Sequence, residues 1–340
     1  AGTSNFRAGV NAGNSIASGG IDNTVVGDEA GTAITTGRFN TLIGKEAGDA
    51  LNDADSNVAI GKGALSSDTQ GSQSTAIGTL ALTAQNFTSA TDAYNVAVGA
   101  EAGAAVTTGV QNTLIGGLAG DAITSAANNT AVGYLSLSAT TTGAENTASG
   151  KQSLTANTTG ANNTAHGSRA LGSNTTASNN TAVGTDALLL NTTGASNVAV
   201  GVGASDANTD GDSNIAVGVG ALGSDTRGNF STAIGHAALN SQNTTNDTDM
   251  YNTAVGYLAG TLVTTGVQNT LIGGLAGDAI TTGNYNTAVG IHAVGSTTTA
   301  ANNTGIGYNA LFANTTGAEN VAVGALALDA NTTAANNVAV

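Results

Sequence analysis

The hydrophobic and polar positions of this chain repeat with a short, fixed period. The pentapeptide Asn-Thr-Ala-Val-Gly stands unaltered at four places, 129–133, 180–184, 252–256 and 286–290. Close variants fill the other repeats, so that the closing glycine recurs eighteen times from Gly27 to Gly324. Of the seventeen intervals between these glycines, fifteen are 17 residues long and two are 21. Such a period indicates one structural unit stacked on copies of itself.

Each repeat is numbered here from its asparagine as position 1, which makes the closing glycine position 5. Short runs of β-branched and small residues, broken by Gly or Asn every few positions, predict strands and tight corners. The high Gly content and the lack of Leu/Glu/Lys-rich windows argue against helices. We therefore expect an all-β chain, a parallel β-solenoid (β-roll) of about twenty 17-residue coils. Coils at about 4.8 Å spacing predict a rod roughly 95 Å long.

We expect one solenoid rod over residues 1–340. Its irregular parts are an atypical N-terminal coil at 1–22, coils with four-residue inserts at 74–94 and 231–251, and an incomplete last coil at 337–340. The two inserts lie 157 residues apart, which indicates that a block of nine coils was duplicated. No basic stretch followed by an apolar segment opens the chain, so we interpret it as a mature or excised segment.

Variation among the repeats predicts which positions form the core. Seven coils have Gly at position 9 and an aliphatic residue at position 12, as in Gly120 and Ile123. Eight other 17-residue coils have Leu at position 9 and a polar residue at position 12, as in Leu154 and Asn157. A core of small, fixed volume requires this trade. Position 3, which is larger in some coils with Gly at position 9, joins the same core.

Strand alternation then places position 1 inward beside position 3. Stacked in register, the position-1 amides can form a ladder and bond the corner backbone. The predicted asparagine ladder consists of Asn23, Asn40, Asn57, Asn95, Asn112, Asn129, Asn146, Asn163, Asn180, Asn197, Asn214, Asn252, Asn269, Asn286, Asn303 and Asn320. Ser74 and Ser231 replace asparagine in the two coils with inserts.

The same alternation points positions 2 and 4 outward. Position 4 is Val or Ile in nearly every coil: Val26, Ile43, Ile60, Ile77, Val98, Ile115, Val132, Val183, Val200, Val217, Ile234, Val255, Ile272, Val289, Ile306 and Val323. Soluble monomers avoid a continuous exposed apolar stripe, so we expect this one to be a self-association stripe, covered by identical chains around a threefold axis. The alternative is a strand that bends at the glycine and buries position 4 in the core.

The amino-acid composition limits which kinds of partner the chain can bind. The net charge is −15 with only seven Lys or Arg, which disfavours nucleic acid and anionic membranes. The chain contains no run of 18 apolar residues, so we expect no membrane insertion. The absence of cysteine excludes disulfides and thiolate metal sites. A Thr-, Asn- and Gly-rich, Lys-poor composition suits an extracellular location, on a cell surface or a virion fibre.

Candidate chemistry is sparse. The three histidines, His166, His236 and His292, occupy different positions of the repeat, without a triad-like context, so we do not expect an enzyme. His166 and Ser149 interrupt the self-association stripe in adjacent coils. Around a threefold axis, three such imidazoles could hold an ion or a water. The alternative is a tolerated polar interruption with a bound water.

One corner resembles the first half of a calcium loop, with oxygen ligands at Asp206, Asn208, Asp210 and Asp212 and a glycine at the turn. No glutamate stands at the twelfth place, which is Val217. These aspartates are alternatively plain turn substitutions. Calcium is the one cofactor that the sequence suggests; we expect no other.

The motif Asn-x-Ala-Val/Ile-Gly, with a small residue and Leu at positions 8–9 and a glycine corner, resembles the head repeats of YadA-like trimeric autotransporter adhesins. It is also similar to repeats of phage tail fibres. The resemblance implies a left-handed β-roll that trimerises through one face and binds matrix or host surfaces. The coil here is longer than is typical of those heads.

Three hypotheses of function follow. The first is an extracellular structural and adhesive fibre segment, a homotrimer that attaches to a surface receptor or glycan on host, matrix or neighbouring cells. The second is a subunit that polymerises end to end into a filament of a surface appendage or sheath. The third is an ice-binding solenoid, because threonine recurs at outward position 2 and at the corner positions 13–14.

Overall fold

The computed structural model describes residues 4–340, and that part of the chain contains strands and turns but no helix. It forms two compact units, unit 1 ending at Ser168 and unit 2 spanning Arg169–Val340. Each unit is a stack of parallel coils of about 17 residues, which confirms the predicted all-β solenoid. The handedness of the coils and a single rod over the whole chain stay predictions.

Unit 1 contains strands β1 to β12. They are β1 Phe6–Ala8, β2 Thr24–Val26, β3 Thr41–Ile43, β4 Val58–Ile60, β5 Gly71–Ser72, β6 Thr75–Ile77, β7 Thr91–Asp92, β8 Val96–Val98, β9 Thr113–Ile115, β10 Thr130–Val132, β11 Thr147–Ser149 and β12 Thr164–His166. All but β5 and β7 form a parallel sheet in coil order. Strands β5 and β7 pair with each other at the corner of the first insert.

Unit 2 repeats this arrangement with strands β13 to β24. They are β13 Thr181–Val183, β14 Val198–Val200, β15 Ile215–Val217, β16 Gly228–Asn229, β17 Thr232–Ile234, β18 Thr248–Asp249, β19 Thr253–Val255, β20 Thr270–Ile272, β21 Thr287–Val289, β22 Thr304–Ile306, β23 Val321–Val323 and β24 Val338–Ala339. Again all but two form one parallel sheet. The pair β16 and β18 belongs to the second insert.

The repeat positions keep their register from coil to coil. Thr130, Ala131 and Val132 pair with Thr147, Ala148 and Ser149, one repeat later. Ladder hydrogen bonds flank each strand, as between Gly133 N and Ile115 O at 2.7 Å. A 17-residue period therefore places the same repeat position of successive coils side by side, which is the condition for the side-chain rows described below.

The closing glycine sets how closely two coils approach. Gly116 has φ +133°, and a β-carbon on it would lie 2.6 Å from Gly133 O of the next coil. A backbone oxygen of the neighbouring coil cannot move aside without separating the coils. The recurrence of glycine at position 5 thus has a steric cause, which applies wherever the closing glycine of a further coil follows; Gly324, after which none follows, has no such contact.

The structure shows the predicted exchange of one large core side chain between positions 9 and 12. Leu154, at position 9, and its polar partner Asn157, at position 12, are both fully buried. In coils with Gly at position 9, larger side chains fill the same space: a β-carbon on Gly120 would meet Leu114 Cδ2 at 2.7 Å and Ile123 Cδ1 at 2.8 Å. Positions 3, 9 and 12 share one narrow core, as predicted.

Candidate functional site: the outward face of the repeated strand

The strand that carries the motif has one buried and two outward side chains. In the coils between the first and the last, position 3 is buried, while positions 2 and 4 are half-buried or exposed. The most exposed position-4 residues, among them Ile115, Val132 and Val183, have 37 to 39% of their surface accessible. The alternative that buries position 4 in the core is therefore wrong.

Strand pairing aligns the position-4 residues into a row within each unit. In unit 1, Val132 pairs with Ser149 and Ser149 with His166; in unit 2, Val183 pairs with Val200 and Val200 with Val217. Neighbours in the row cover one another's flanks, which is why no member is more than partly accessible. The row is apolar and solvent-facing, the combination that marks interaction surfaces.

The asparagine row fixes the strand that presents this face. Asn146 Nδ2 donates to Gly160 O at 2.9 Å and to Asn129 Oδ1 at 3.3 Å, and Asn163 N donates to Asn146 Oδ1 at 3.0 Å. In unit 2, Asn269 makes the equivalent bonds to Gly283 O and Asn252 Oδ1. The predicted ladder is thus present, and each buried amide is satisfied by backbone of two coils.

The sequence did not predict how the asparagine ladder continues at Ser74 and Ser231, which replace asparagine at position 1. In unit 1, Gln85 Nε2 donates to Ser74 Oγ at 3.0 Å and to Asp68 Oδ2 at 2.6 Å, and Gln85 Oε1 accepts from Asn95 Nδ2 at 2.8 Å. The side chain of Gln85 therefore supplies the amide that Ser74 lacks. A signal was available, because Ser at position 1, Gln at position 12 and Asp at position 12 of the preceding coil occur together only at the inserts.

Unit 2 repeats this network with Gln242. Its Nε2 donates to Ser231 Oγ at 2.9 Å and to the buried carboxylate of Asp225, and its Oε1 accepts from Asn252 Nδ2 at 2.9 Å. Asp225 Oδ1 accepts from Gly228 N at 3.0 Å. In each insert coil a buried glutamine, serine and aspartate thus form a hydrogen-bonded polar network next to the corner.

The two polar residues of the stripe lie side by side in unit 1. His166 is exposed, and the half-buried Ser149 occupies the same row one coil earlier. The other two histidines belong to unit 2, where His236 stacks on Tyr257 and His292 contacts Phe312 edge-on. An ion or water held by His166 stays a prediction that depends on assembly.

Three of the four candidate calcium ligands, Asn208, Asp210 and Asp212, have separate partners. Asn208 is buried, where its Nδ2 donates to Asn191 Oδ1 at 2.8 Å and its Oδ1 accepts from Gly211 N. Asp210 lies 3.5 Å from Arg227 Nε, and Asp212 Oδ1 accepts from Ala195 N at 2.6 Å. Across residues 4–340, no group of three or more His, Cys, Asp or Glu side chains is arranged to hold a metal ion. Calcium stays a prediction that these contacts do not support.

Position-10 aspartates carry most of the unusual electrostatics. Burial raises the pKa of Asp49, Asp121, Asp206 and Asp278 above the ordinary value for aspartate. In three of them (Asp49, Asp121 and Asp278), Oδ1 is buried and has no hydrogen-bond partner. These carboxylates lie away from the outward strand face, so they oppose folding at neutral pH without belonging to the candidate site.

The two threonine rows differ in whether their hydroxyls face solvent or bond to the neighbouring coil. Position-2 threonines face outward. Position-13 hydroxyls are engaged: Thr107 and Thr124 each donate to the carbonyl oxygen of the threonine one coil later, at 3.1 Å. A second free threonine row, which a flat ice-binding face needs, is therefore not supplied by position 13.

These features define the chain as a β-solenoid repeat protein in which each unit has an apolar outward strand face. No protein-family model and no curated protein sequence matches it. No helix of the described chain is long and apolar enough to cross a membrane. Function must therefore be argued from the surface of the coils.

Proposed function

We propose that this chain is a segment of an extracellular structural and adhesive fibre, which self-associates through the position-4 stripe. The main observation in support is the row of outward Val and Ile side chains in each unit. Seven members of the two rows together are exposed large hydrophobic residues. The resemblance to trimeric adhesin heads supports a homotrimer as the form of assembly. The buried asparagine ladder and the stacked coils suit a rigid scaffold rather than a catalyst.

The oligomeric mass in solution tests this proposal. A monomer has a mass of 32.5 kDa, and a homotrimer three times that value. We expect sedimentation equilibrium to give the trimer mass. A protein that stays monomeric at every concentration would refute self-association, and elongating polymers under the electron microscope would favour the filament hypothesis instead.

The substitution Val132→Asp tests whether the stripe is the interface. Because Val132 points outward, the aspartate should leave the coil folded but place a charge in the contact between chains. We expect the trimer to dissociate while the circular dichroism spectrum is unchanged. Thr142→Asp is the matched control, since Thr142 is an exposed corner residue of the same coil and Asp210 occupies the equivalent position of another coil.

The surface target of such a fibre is recognised by a different part of the molecule. Both insert coils carry exposed polar residues at their long corner, including Asn86, Thr88 and Asp92 in unit 1 and Asn243 and Asp247 in unit 2. Loops positioned by a rigid scaffold are where binding residues concentrate. A glycan or protein array probed with the wild-type chain and with a variant lacking both inserts tests this assignment.

A further inference from the structure

The row at position 6 differs between the two units. In unit 2 it contains five exposed apolar side chains, the apolar ridge: Val202, Val219, Tyr257, Ile291 and Tyr308. His236 stacks on Tyr257 with ring centroids 5.5 Å apart, and Gly274 follows in the next coil. In unit 1 the same position is charged in four coils, by Asp28, Lys45, Lys62 and Lys151.

The apolar ridge adjoins the position-4 stripe. Only the closing glycine separates positions 4 and 6, so their α-carbons are at most about 7 Å apart. Ile306, at position 4, and Tyr308, at position 6, are both among the exposed large hydrophobic residues of one coil. In unit 2 the two rows therefore form one surface whose only polar interruptions at position 6 are Thr185 and His236, whereas in four coils of unit 1 charged side chains border the stripe.

The area of this surface matters for stable association. Ten strands at about 4.8 Å spacing make a face roughly 43 Å long, and a band about 7 Å wide for position 4 alone covers roughly 300 Å². Including positions 2 to 6 widens the band to about 13 Å and its area to roughly 560 Å². A stable interface buries about 800 Å² per partner and a weak one about 600 Å² or less. The stripe alone covers too little area, whereas stripe and ridge together bring the surface of unit 2 close to the size of a weak interface.

Charge identifies the occupant of this surface. Unit 2 contains ten carboxylates and two arginines, a formal charge of −8, yet none of them stands at position 2, 4 or 6. A basic partner would bind where the carboxylates are. A second copy of this chain, which is itself acidic, meets least repulsion on the face from which charge is missing.

We propose that copies of this chain associate mainly through unit 2, with the apolar ridge at position 6 packed against a second copy. This inference rests on the proposed self-association and adds where its affinity comes from. Tyr257 is the central contact, because it is the most exposed residue of the ridge and its ring is already held by His236. Aromatic residues held in this way are typical interface hot spots.

The chain provides a matched pair of variants for the test. The heptapeptide Asn-Thr-Ala-Val-Gly-Tyr-Leu occurs at 129–135 and again at 252–258, so Tyr134 in unit 1 and Tyr257 in unit 2 have identical local sequences. Their exposures are also similar, 52% and 58%. Lysine is native at position 6 in three coils of unit 1, so neither Tyr134→Lys nor Tyr257→Lys should prevent folding.

Sedimentation velocity over a concentration series measures the association of the wild type and both variants. We expect Tyr257→Lys to raise the dissociation constant at least about thirtyfold, which corresponds to a hot spot of about 2 kcal/mol. Tyr134→Lys should change it less than about threefold. Ile291→Lys, in a different coil of the same ridge, should behave like Tyr257→Lys.

The outcomes separate this inference from the proposed function. If the wild type assembles but Tyr134→Lys and Tyr257→Lys weaken it equally, association is not concentrated in unit 2 and the inference is wrong. If it assembles and Tyr257→Lys has no effect, the ridge serves another partner and the inference is again wrong, while self-association stands. A monomeric wild type overturns both.

Discussion

Replacing Gly116 by alanine tests the steric cause of the repeated glycine. The backbone at Gly116 has φ +133°, a region that costs an L-residue about 1–3 kcal/mol. The added β-carbon would lie 2.6 Å from Gly133 O and 2.7 Å from Gly133 C, so the two coils must separate by about half an ångström or more. That displacement weakens the adjacent ladder bonds Thr113 N to Asn129 O and Gly133 N to Ile115 O, each contributing about 1 kcal/mol. We expect destabilisation of about 3–5 kcal/mol.

Gly117→Ala is the control, one residue away. Gly117 occupies position 6, where other coils have tyrosine or lysine, and its nearest contacts to an added β-carbon are Tyr134 Cδ2 at 3.7 Å and Ala100 O at 3.9 Å. Its substitution should change stability by less than about 1 kcal/mol. Because long repeat arrays need not unfold in one step, hydrogen exchange of peptides from coils 95–145 should accompany denaturant unfolding. Equal effects of the two alanines would refute the steric argument.

Three further predictions concern the core, the ladder and pH. Leu154→Gly should lower the free energy of unfolding by about 3 kcal/mol, measured by thermal or denaturant unfolding. Adding Asn157→Ile should restore at least half of that loss, because coils with Gly at position 9 place an aliphatic residue at position 12. No recovery would contradict a shared core. Asn146→Ser should lower the free energy of unfolding by about 2–3 kcal/mol in the same assay. The reason is that no glutamine stands beside it to complete the ladder as Gln85 does for Ser74. A neutral effect would show that the ladder is dispensable. Burial raises the pKa of Asp121 in the folded state, so its contribution to stability is present below the unfolded value of 3.8 and is lost as pH rises through the folded pKa. Asp121→Asn should therefore flatten the loss of stability between about pH 4 and pH 7 in thermal unfolding, and an unchanged pH profile would contradict this assignment.

Much of the coil could be predicted from the sequence because its constraints repeat. Every coil must stack on the next at one spacing, so each repeat reports on the same steric and packing conditions. Gly at position 5, the exchange between Leu154 and Ile123 across positions 9 and 12, and the outward direction of Val132 were all read this way. A single repeat would not have distinguished a core valine from a surface valine.

Contacts between different repeat positions were not predictable in this way. Gln85 completes the ladder at Ser74 because position 12 lies beside position 1 across the core, as in the coil where Asn146 and Asn157 both donate to Gly160 O. A pattern of individual positions does not show that approach. The partners of the candidate calcium residues were not predictable for the same reason, since Asn208 turns into the core while Asp210 and Asp212 bond to neighbouring coils.

The sequence by itself determined the period, the coil, the core positions and the face to which each motif residue points, because a fixed register transmits local patterns unchanged along the stack. Only the tertiary structure decided which outward residues adjoin one another. It stacked Tyr257 on His236, with ring centroids 5.5 Å apart, and left Tyr257 and Tyr308 58% and 54% exposed. The physical reason is that the recurring glycine fixes where the backbone turns, whereas the contact and exposure of the side chain that follows depend on the residues of the neighbouring coils.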